Sequence, residues 1–248
     1  MSETSNKSLT FYLWRHHDPP YVLHRSIFVS DRCLTYFRLI IILFYLAIII
    51  WMLSDMSWKF FLFLTNWGFS TCFLFFLLAS LENLFVKGAH GFLWKLTHIV
   101  FEVAITVEFS IVIFYWTALF YLDYDANKDV DDFGAWLFND ICIHFFGFFF
   151  LWVDNVFNHI EIHRSHFIFV ISFGILYSIL NCAYTLNEEN IYPPITWVNI
   201  WSYLFLLVVV LLQIAHHYFI IWFYEKVKKQ KINQKNDKEY KETTANLL

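Results

Sequence analysis

Residues 34–53 read LTYFRLIIILFYLAIIIWML, an apolar run that carries a single charge, that of Arg38. The run has the length of about 20 residues that an α-helix needs to cross the hydrocarbon core of a bilayer. Arg38 lies near its start, where a long side chain can carry its charge out to the interface. The stretch therefore predicts a transmembrane helix.

Five more stretches of similar length and character follow, and each predicts a further span: 60–81, 99–122, 133–153, 166–186 and 197–224. Of the 248 residues, 59% are hydrophobic and only 15% are charged. A soluble domain carries about 25% charged residues, so this composition indicates a membrane protein. We expect an all-α fold, a polytopic helical bundle of about six transmembrane helices.

The positions of Lys and Arg predict the orientation of the bundle, because cytoplasmic loops are enriched in these residues. The N-terminal segment, the loops after spans two and four and the C-terminal tail are basic, whereas the other loops carry only Lys59 and Lys128. Those other loops are acidic: Asp123, Asp125, Asp129, Asp131, Asp132, Glu188 and Glu189. Both termini are therefore expected on one side, the cytoplasm or the matrix.

Three regions follow from this pattern: a polar N-terminal segment (1–33), a six-span domain (34–224) and a basic tail (225–248) that is expected to be disordered. The first 33 residues lack the early apolar core of a secretory signal peptide. The sequence does not name the membrane. An endomembrane or the plasma membrane is favoured, and the mitochondrial inner membrane stays open.

Polar residues within spans usually face the bundle interior, and the first such group lies toward the outer side. Asp140 and His144 are four residues apart on span four, so they share a helical face. Asp140 could orient the His144 ring and leave its other nitrogen as a general base. Span two, which carries Thr65, enters the membrane from the same side as span four. A hydroxyl group beside a general base is an activated nucleophile. The alternative is a set of hydrogen bonds that hold the helices together, of about 0.6–2 kcal/mol each.

The second polar group lies at the inner interface and consists mainly of histidines. Glu102 lies four residues after His98 on span three. Histidines and carboxylates bind zinc or iron, which makes six residues weak metal candidates: His98, His159, His163, His166, His216 and His217. The paired HxxHH boxes of membrane di-iron enzymes are not present, and only His144 lies deep enough to ligate a haem. Interfacial histidines are the favoured interpretation, so no metal and no cofactor are expected.

Several segments resemble, in order, the rolling-stone-like membrane proteins and the related androgen-induced membrane hydrolases. Residues 61–68 read FLFLTNWG and resemble the YLTNWG block, and residues 191–197 read IYPPITW and resemble IYPxLDW. His144 and Asp154 have the His-to-acid spacing of the family, while His24, Arg25 and Ser26 and a histidine late in span six fit loosely. Gly147 and Thr196 depart from the pattern.

The resemblance implies a six-span fold, and its androgen-induced branch hydrolyses fatty-acid esters of hydroxy fatty acids with an intramembrane Thr and His. These two residues correspond to Thr65 and His144. The favoured hypothesis is a Thr-dependent lipid-ester hydrolase that contacts membrane lipids and a fatty-acyl ester substrate. A non-enzymatic structural or accessory subunit, which binds partner membrane subunits, is rated nearly equal. No nucleic-acid partner is expected.

Overall fold

The computed structural model describes residues 25–85, 92–235 and 237 of the chain, and its regular structure there is helical. Within these ranges the α-helices follow in this order: α1 (Asp31–Met56), α2 (Leu64–Phe85), α3 (Phe92–Phe114), α4 (Phe120–Asn127), α5 (Phe133–His144), α6 (Phe146–Phe157), α7 (Phe167–Asn187) and α8 (Ile200–Phe223). A single β-bridge joins Ser26 and Asn158.

These helices form six segments that are long and apolar enough to cross a membrane: Asp31–Leu62, Leu64–Phe85, Phe92–Asn127, Phe133–Phe157, Arg164–Asn187 and Ile200–Lys235. The predicted all-α bundle of about six spans is thereby confirmed.

Two spans begin later than their hydropathy predicts. Span two begins at Leu64, because residues 57–62 form a 3-10 turn and Phe63 is extended. The side chain of Asn66 donates to the carbonyl oxygen of Phe60, and such local bonds compete with helix. Span six begins at Ile200, after Trp197 with its positive φ of 61°. Thr65 is therefore the second residue of α2.

Helix α3 occupies the centre of the bundle. Every residue from Phe101 to Glu108 is buried, and α3 packs against α2, α6, α7 and α8. Glu102 and Glu108 are among these residues, with exposed fractions of 1% and 0%. The acidic residues of span three thus face the interior, as ionisable groups in a membrane usually do.

Apolar side chains cover the outward faces of the other spans. Ile40, Leu43, Ile179 and Leu211 each expose more than half of their surface. In water such a surface would drive aggregation, whereas in a bilayer it faces lipid tails of the same polarity. The exposure pattern is thus that of an integral, multi-pass membrane protein.

Both ends of the described chain lie at the same end of the bundle. The Lys235 ammonium donates to the carbonyl oxygen of Ser26 at 2.8 Å, and the amide of Ile27 donates to Phe157 at 2.7 Å. The last helix continues beyond Phe223 to Lys235, so the expected disorder of the tail does not hold for residues 225–235. Contacts such as the buried Lys228 ammonium hold this part in place. Residues 1–24, 236 and 238–248 lie outside the described residues.

Candidate functional site

The three residues predicted as a catalytic group meet in the bundle interior. Thr65 Oγ1 lies 3.5 Å from His144 Nδ1, and His144 Nε2 lies 3.5 Å from Asp140 Oδ1. Asp140 and His144 are one turn apart at the end of α5, while Thr65 comes from α2. Each ring nitrogen of His144 thus faces one partner. With its proton on Nε2, the ring has its N–H on the nitrogen nearest Asp140 and leaves the Nδ1 lone pair for the Thr65 hydroxyl.

Tyr115 completes this group from the central span. Its hydroxyl donates to Asp140 Oδ2 at 2.6 Å, and its ring stacks on the His144 ring with centroids 3.4 Å apart. Tyr115 begins a π-helical turn, Tyr115–Leu119, between α3 and α4. Single π-helical turns within α-helices are frequently found at functional sites. Tyr115 therefore fixes both the carboxylate and the plane of the imidazole.

The start of α2 places backbone amides beside Thr65. The amide of Leu64, the first residue of α2, donates to the hydroxyl of Tyr192 at 2.9 Å. Burial raises the pKa of Tyr192, which lies in the loop before the last span, so this hydroxyl stays protonated. The first turn of a helix carries a partial positive charge. The amides of Asn66 and Trp67 donate to the carbonyl oxygen of Phe63, so this dipole, and not a free amide, would act on negative charge near Thr65.

A cavity of about 640 Å³ opens beside Thr65. Thr65 and Tyr115 are part of its wall, and most of the remaining lining is apolar, from α3, α7 and α8. Gln213 and Ser110, whose side chains are 3.3 Å apart, provide a polar spot in the same wall. Volumes of roughly 300–1,000 Å³ are typical of small-molecule sites. The cavity can accept an elongated apolar molecule with its polar part near Thr65.

Glu108 lies beneath the Thr65 and His144 pair, in the centre of the membrane-spanning part. Its carboxyl group packs against Gly68 and Gly147, each three residues after one member of the pair. A Cβ atom at either glycine would overlap with the Glu108 oxygens. Among the residues that the structure describes, the Cys72 thiol, a weak donor, is a polar neighbour of the Glu108 carboxyl group. An alanine at either position would therefore require the Glu108 side chain to shift.

Part of the predicted inner group also comes together. Glu102 Oε1 lies 3.1 Å from His98 Nε2, and Glu102 Oε2 lies 2.8 Å from His166 Nδ1. The backbone amide of His163 donates to Glu102 Oε1 at 2.8 Å, and the His163 ring stacks on His98. The ligand atoms of His98, Glu102 and His166 all lie within 4.8 Å of one another.

The remaining candidate histidines have other surroundings. His217 packs beside the inner group, with Nε2 3.2 Å from the His163 carbonyl oxygen. His216 stacks on Phe109 and accepts from the indole of Trp152. His159 is buried in the loop after α6, where burial and the charges of Lys228 and Lys235 lower its pKa to about 4.

Arg38 does not extend to the interface, contrary to expectation. Its guanidinium is fully buried and forms two bonds with Asp154, Nε to Oδ2 at 2.7 Å and Nη2 to Oδ1 at 3.0 Å. Asn158 donates to the same carboxylate at 2.7 Å. Asp154, which shares the His-to-acid spacing of the resembling family, thus pairs with Arg38 of span one.

Sequence reasoning predicted that Thr65, His144 and Asp140 lie together but did not predict the positions of Tyr115 and Tyr192 or the contact of Glu108 with Gly68 and Gly147. Tyr115 is one of 14 tyrosines, and nothing in its local sequence distinguishes it. Tyr192 lies within the IYPPITW segment, which is distinctive only in its resemblance to IYPxLDW. The glycines could have been noticed, because each follows a polar residue of the predicted pair by three positions. Such spacing places both residues on one helical face.

No protein-family model, no curated protein and no solved structure matches this chain. The class of the protein therefore rests on its fold and its site. It is a six-span helical membrane protein with a Thr–His–Asp group whose Thr65 lies in the wall of an apolar cavity.

Proposed function

We propose that this protein is an intramembrane hydrolase of lipid esters, with Thr65 as the nucleophile and His144 as the general base. One observation carries the proposal: Thr65 Oγ1 lies 3.5 Å from His144 Nδ1 where the apolar cavity begins. The resemblance to the androgen-induced membrane hydrolases points to the same two residues and supports it.

The first half of the reaction forms an acyl-enzyme. Thr65 Oγ1 attacks the carbonyl carbon of the ester while its proton passes to His144 Nδ1. The imidazolium is stabilised by Asp140, which faces Nε2. The negative charge on the carbonyl oxygen develops near the first turn of α2. When the tetrahedral intermediate collapses, the C–O bond to the alcohol breaks, and the alcohol leaves with the proton from His144.

The second half returns the enzyme to its starting state. Water attacks the acyl carbon, and His144 Nδ1 accepts one of its protons. The bond to Thr65 Oγ1 then breaks, and this oxygen takes the proton back from His144. The products are a fatty acid and an alcohol, and the enzyme is unchanged.

The cavity favours a substrate with a long acyl chain. Its wall contains residues such as Val107, Ile111, Ile171 and Leu206, and no charged side chain of the described residues lines it. An acyl chain would bury its CH₂ groups there at a gain of about 0.8 kcal/mol each. The ester group would lie at Thr65. Fatty-acyl esters with an apolar chain are therefore the substrate class that fits.

A fluorophosphonate probe with an alkyl chain tests the proposal, because it phosphonylates an activated hydroxyl. We expect the full chain, purified in detergent, to be labelled at Thr65, as read by peptide mass spectrometry. Thr65→Ala and His144→Ala should lose the label, and Thr65→Ser should keep it. A fatty-acyl ester should be cleaved by the same variants that are labelled.

The chain provides a matched control in a second Thr–His pair. Thr106 Oγ1 lies 3.5 Å from His217 Nδ1, the same separation, but Thr106 does not line the cavity. Thr106→Ala should therefore keep full labelling. Equal labelling of wild type and Thr65→Ala, or no labelling and no cleavage by folded wild type, overturns the proposal and leaves a non-enzymatic role.

A further inference from the structure

The inner end of the bundle holds a second group of chemically active side chains, separate from the proposed catalytic group. Glu102 and Tyr115 are 13 residues apart on the central span, which corresponds to about 20 Å along a helix. His98 and Glu102 come from α3, and His166 comes from the short 3-10 turn before α7. No step of the proposed hydrolysis uses these residues.

The nitrogen and oxygen atoms of this group that can act as metal ligands lie close to one another. His98 Nε2 and His166 Nδ1 lie 3.1 and 2.8 Å from the two oxygens of the same carboxylate, that of Glu102. Ligands at about 2.0–2.1 Å from a tetrahedral zinc ion are separated by about 3.3 Å. The three donors are therefore close to the spacing that a bound ion requires. His98 Nε2 also lies 2.7 Å from the carbonyl oxygen of Glu161, and a bound ion would replace this contact.

The chemistry of the three side chains matches a known class of ion. Two imidazoles and one carboxylate form the His₂Glu set of catalytic zinc sites and the facial triad of non-haem iron. Both leave coordination positions open for water or a ligand. None of the four cysteines of the chain belongs to the group, so its ligands are nitrogen and oxygen atoms.

The three side chains of the group are buried, whereas the loop beside them is exposed. The exposed fractions of His98, Glu102 and His166 are 1%, 1% and 0%. Their neighbours Arg164 and Ser165 are exposed, so water reaches the edge of the group. Around the group, the backbone amide of His163 donates a hydrogen bond to Glu102 Oε1. The ring of His217 lies within hydrogen-bond distance of the carbonyl oxygen of His163. Such outer contacts orient the ligands of metal sites.

From this geometry we infer that His98, Glu102 and His166 bind one divalent transition-metal ion, zinc or ferrous iron, at the inner end of the bundle. The ion takes the Nε2 lone pair of His98, the Nδ1 lone pair of His166 and a Glu102 oxygen. Each imidazole then carries its proton on the opposite nitrogen. The site is independent of the proposed hydrolase reaction, so either one can fail alone.

Metal content of the full chain tests this inference directly. The protein is purified in detergent with an affinity tag that contains no histidine, and zinc and iron are measured by inductively coupled plasma mass spectrometry. We expect about one ion per chain, and its identity decides between zinc and iron. A sample stripped with a chelator should regain the ion from Zn²⁺ or Fe²⁺ and unfold at a higher temperature once it has done so.

Variants locate the ion. Glu102→Gln keeps the shape of the side chain but removes the anionic ligand, and His166→Ala removes one nitrogen. Both should lower metal content at least about tenfold. His216→Leu is the matched control, since His216 is equally buried but stacks on Phe109, and it should keep the ion. Thr65→Ala should also keep it, which separates this site from the hydrolase group.

X-ray absorption at the metal edge of the wild type makes the test independent of how well the variants fold. We expect a shell of nitrogen and oxygen at about 2.0–2.1 Å with the outer scattering of two imidazoles, and no sulfur at about 2.3 Å. Three results overturn the inference: a folded wild type that takes up neither Zn²⁺ nor Fe²⁺, a shell that contains sulfur, or folded Glu102→Gln with undiminished metal. The contacts of Glu102 are then hydrogen bonds alone.

Discussion

Arg38 and Asp154 form an ion pair with two hydrogen bonds, which joins the first and fourth spans. Both side chains have an exposed fraction of 0%, and the two residues are 116 positions apart in the chain. A pair of this kind is expensive to break, because the buried charge that is left behind has lost its counterion. The pair therefore contributes to the choice of which helices are neighbours.

Asp154→Asn should destabilise the protein by about 3–5 kcal/mol, because the Arg38 charge stays buried without its counterion. Thermal or denaturant unfolding in detergent measures the change. Glu189→Gln is the control, since Glu189 pairs with Lys59 at 3.2 Å with both side chains more than half exposed. An exposed pair is worth less than about 1 kcal/mol. A loss no larger than that of the control would contradict the assigned role of Asp154.

Gly68→Ala should destabilise the protein by about 1–3 kcal/mol, the usual cost of overpacking a core. The added methyl group would overlap with Glu108 Oε1 and lie 2.6 Å from Ile111 Cδ1. Gly134→Ala is the matched control, because a Cβ there meets nothing within 4 Å. Unfolding of both variants under one detergent condition gives the comparison. If the two alanines cost the same, Glu108 can move away and the packing argument is wrong.

Asp140→Asn should slow phosphonylation of Thr65 by about 10²-fold or more, since the base loses the group that holds its tautomer. The rate of probe labelling over time measures this, and the amount of folded protein is checked separately. Asp125→Asn, an exposed acid that pairs with Lys128, should leave the rate unchanged. A rate for Asp140→Asn within about twofold of wild type would remove Asp140 from the catalytic group.

The stability of the protein should depend on pH through His159. Its pKa is about 4 in the folded protein because of burial and the nearby Lys228 and Lys235, against about 6.5 in an unfolded chain. Between these values the unfolded chain binds more protons, so stability is complete above pH 6.5 and falls as the pH is lowered toward 4.

His159→Gln removes this contribution. The difference in unfolding free energy between wild type and this variant should shrink as the pH is lowered from about 6.5 to 4. The measurement is a series of unfolding curves at fixed ionic strength. A difference that stays constant over this range would show that His159 titrates alike in both states.

Pairs within one helix were predictable from the sequence. Asp140 with His144 and His98 with Glu102 are both four residues apart, and the periodicity of the helix brings such residues together. The ends of spans were less predictable. Side-chain bonds such as that of Asn66 to Phe60 end or begin helices, and hydropathy does not register them.

The sequence alone determined that the chain crosses a membrane six times with both ends on one side. Apolar length and the distribution of Lys and Arg are enough for this, because the bilayer imposes both. Only the tertiary structure decided that Thr65 meets His144, 79 residues away, and that Glu102 meets His166, 64 residues away. Contacts between spans depend on the shapes and polar groups of side chains, since lipid tails are as apolar as the spans and do not drive the helices together.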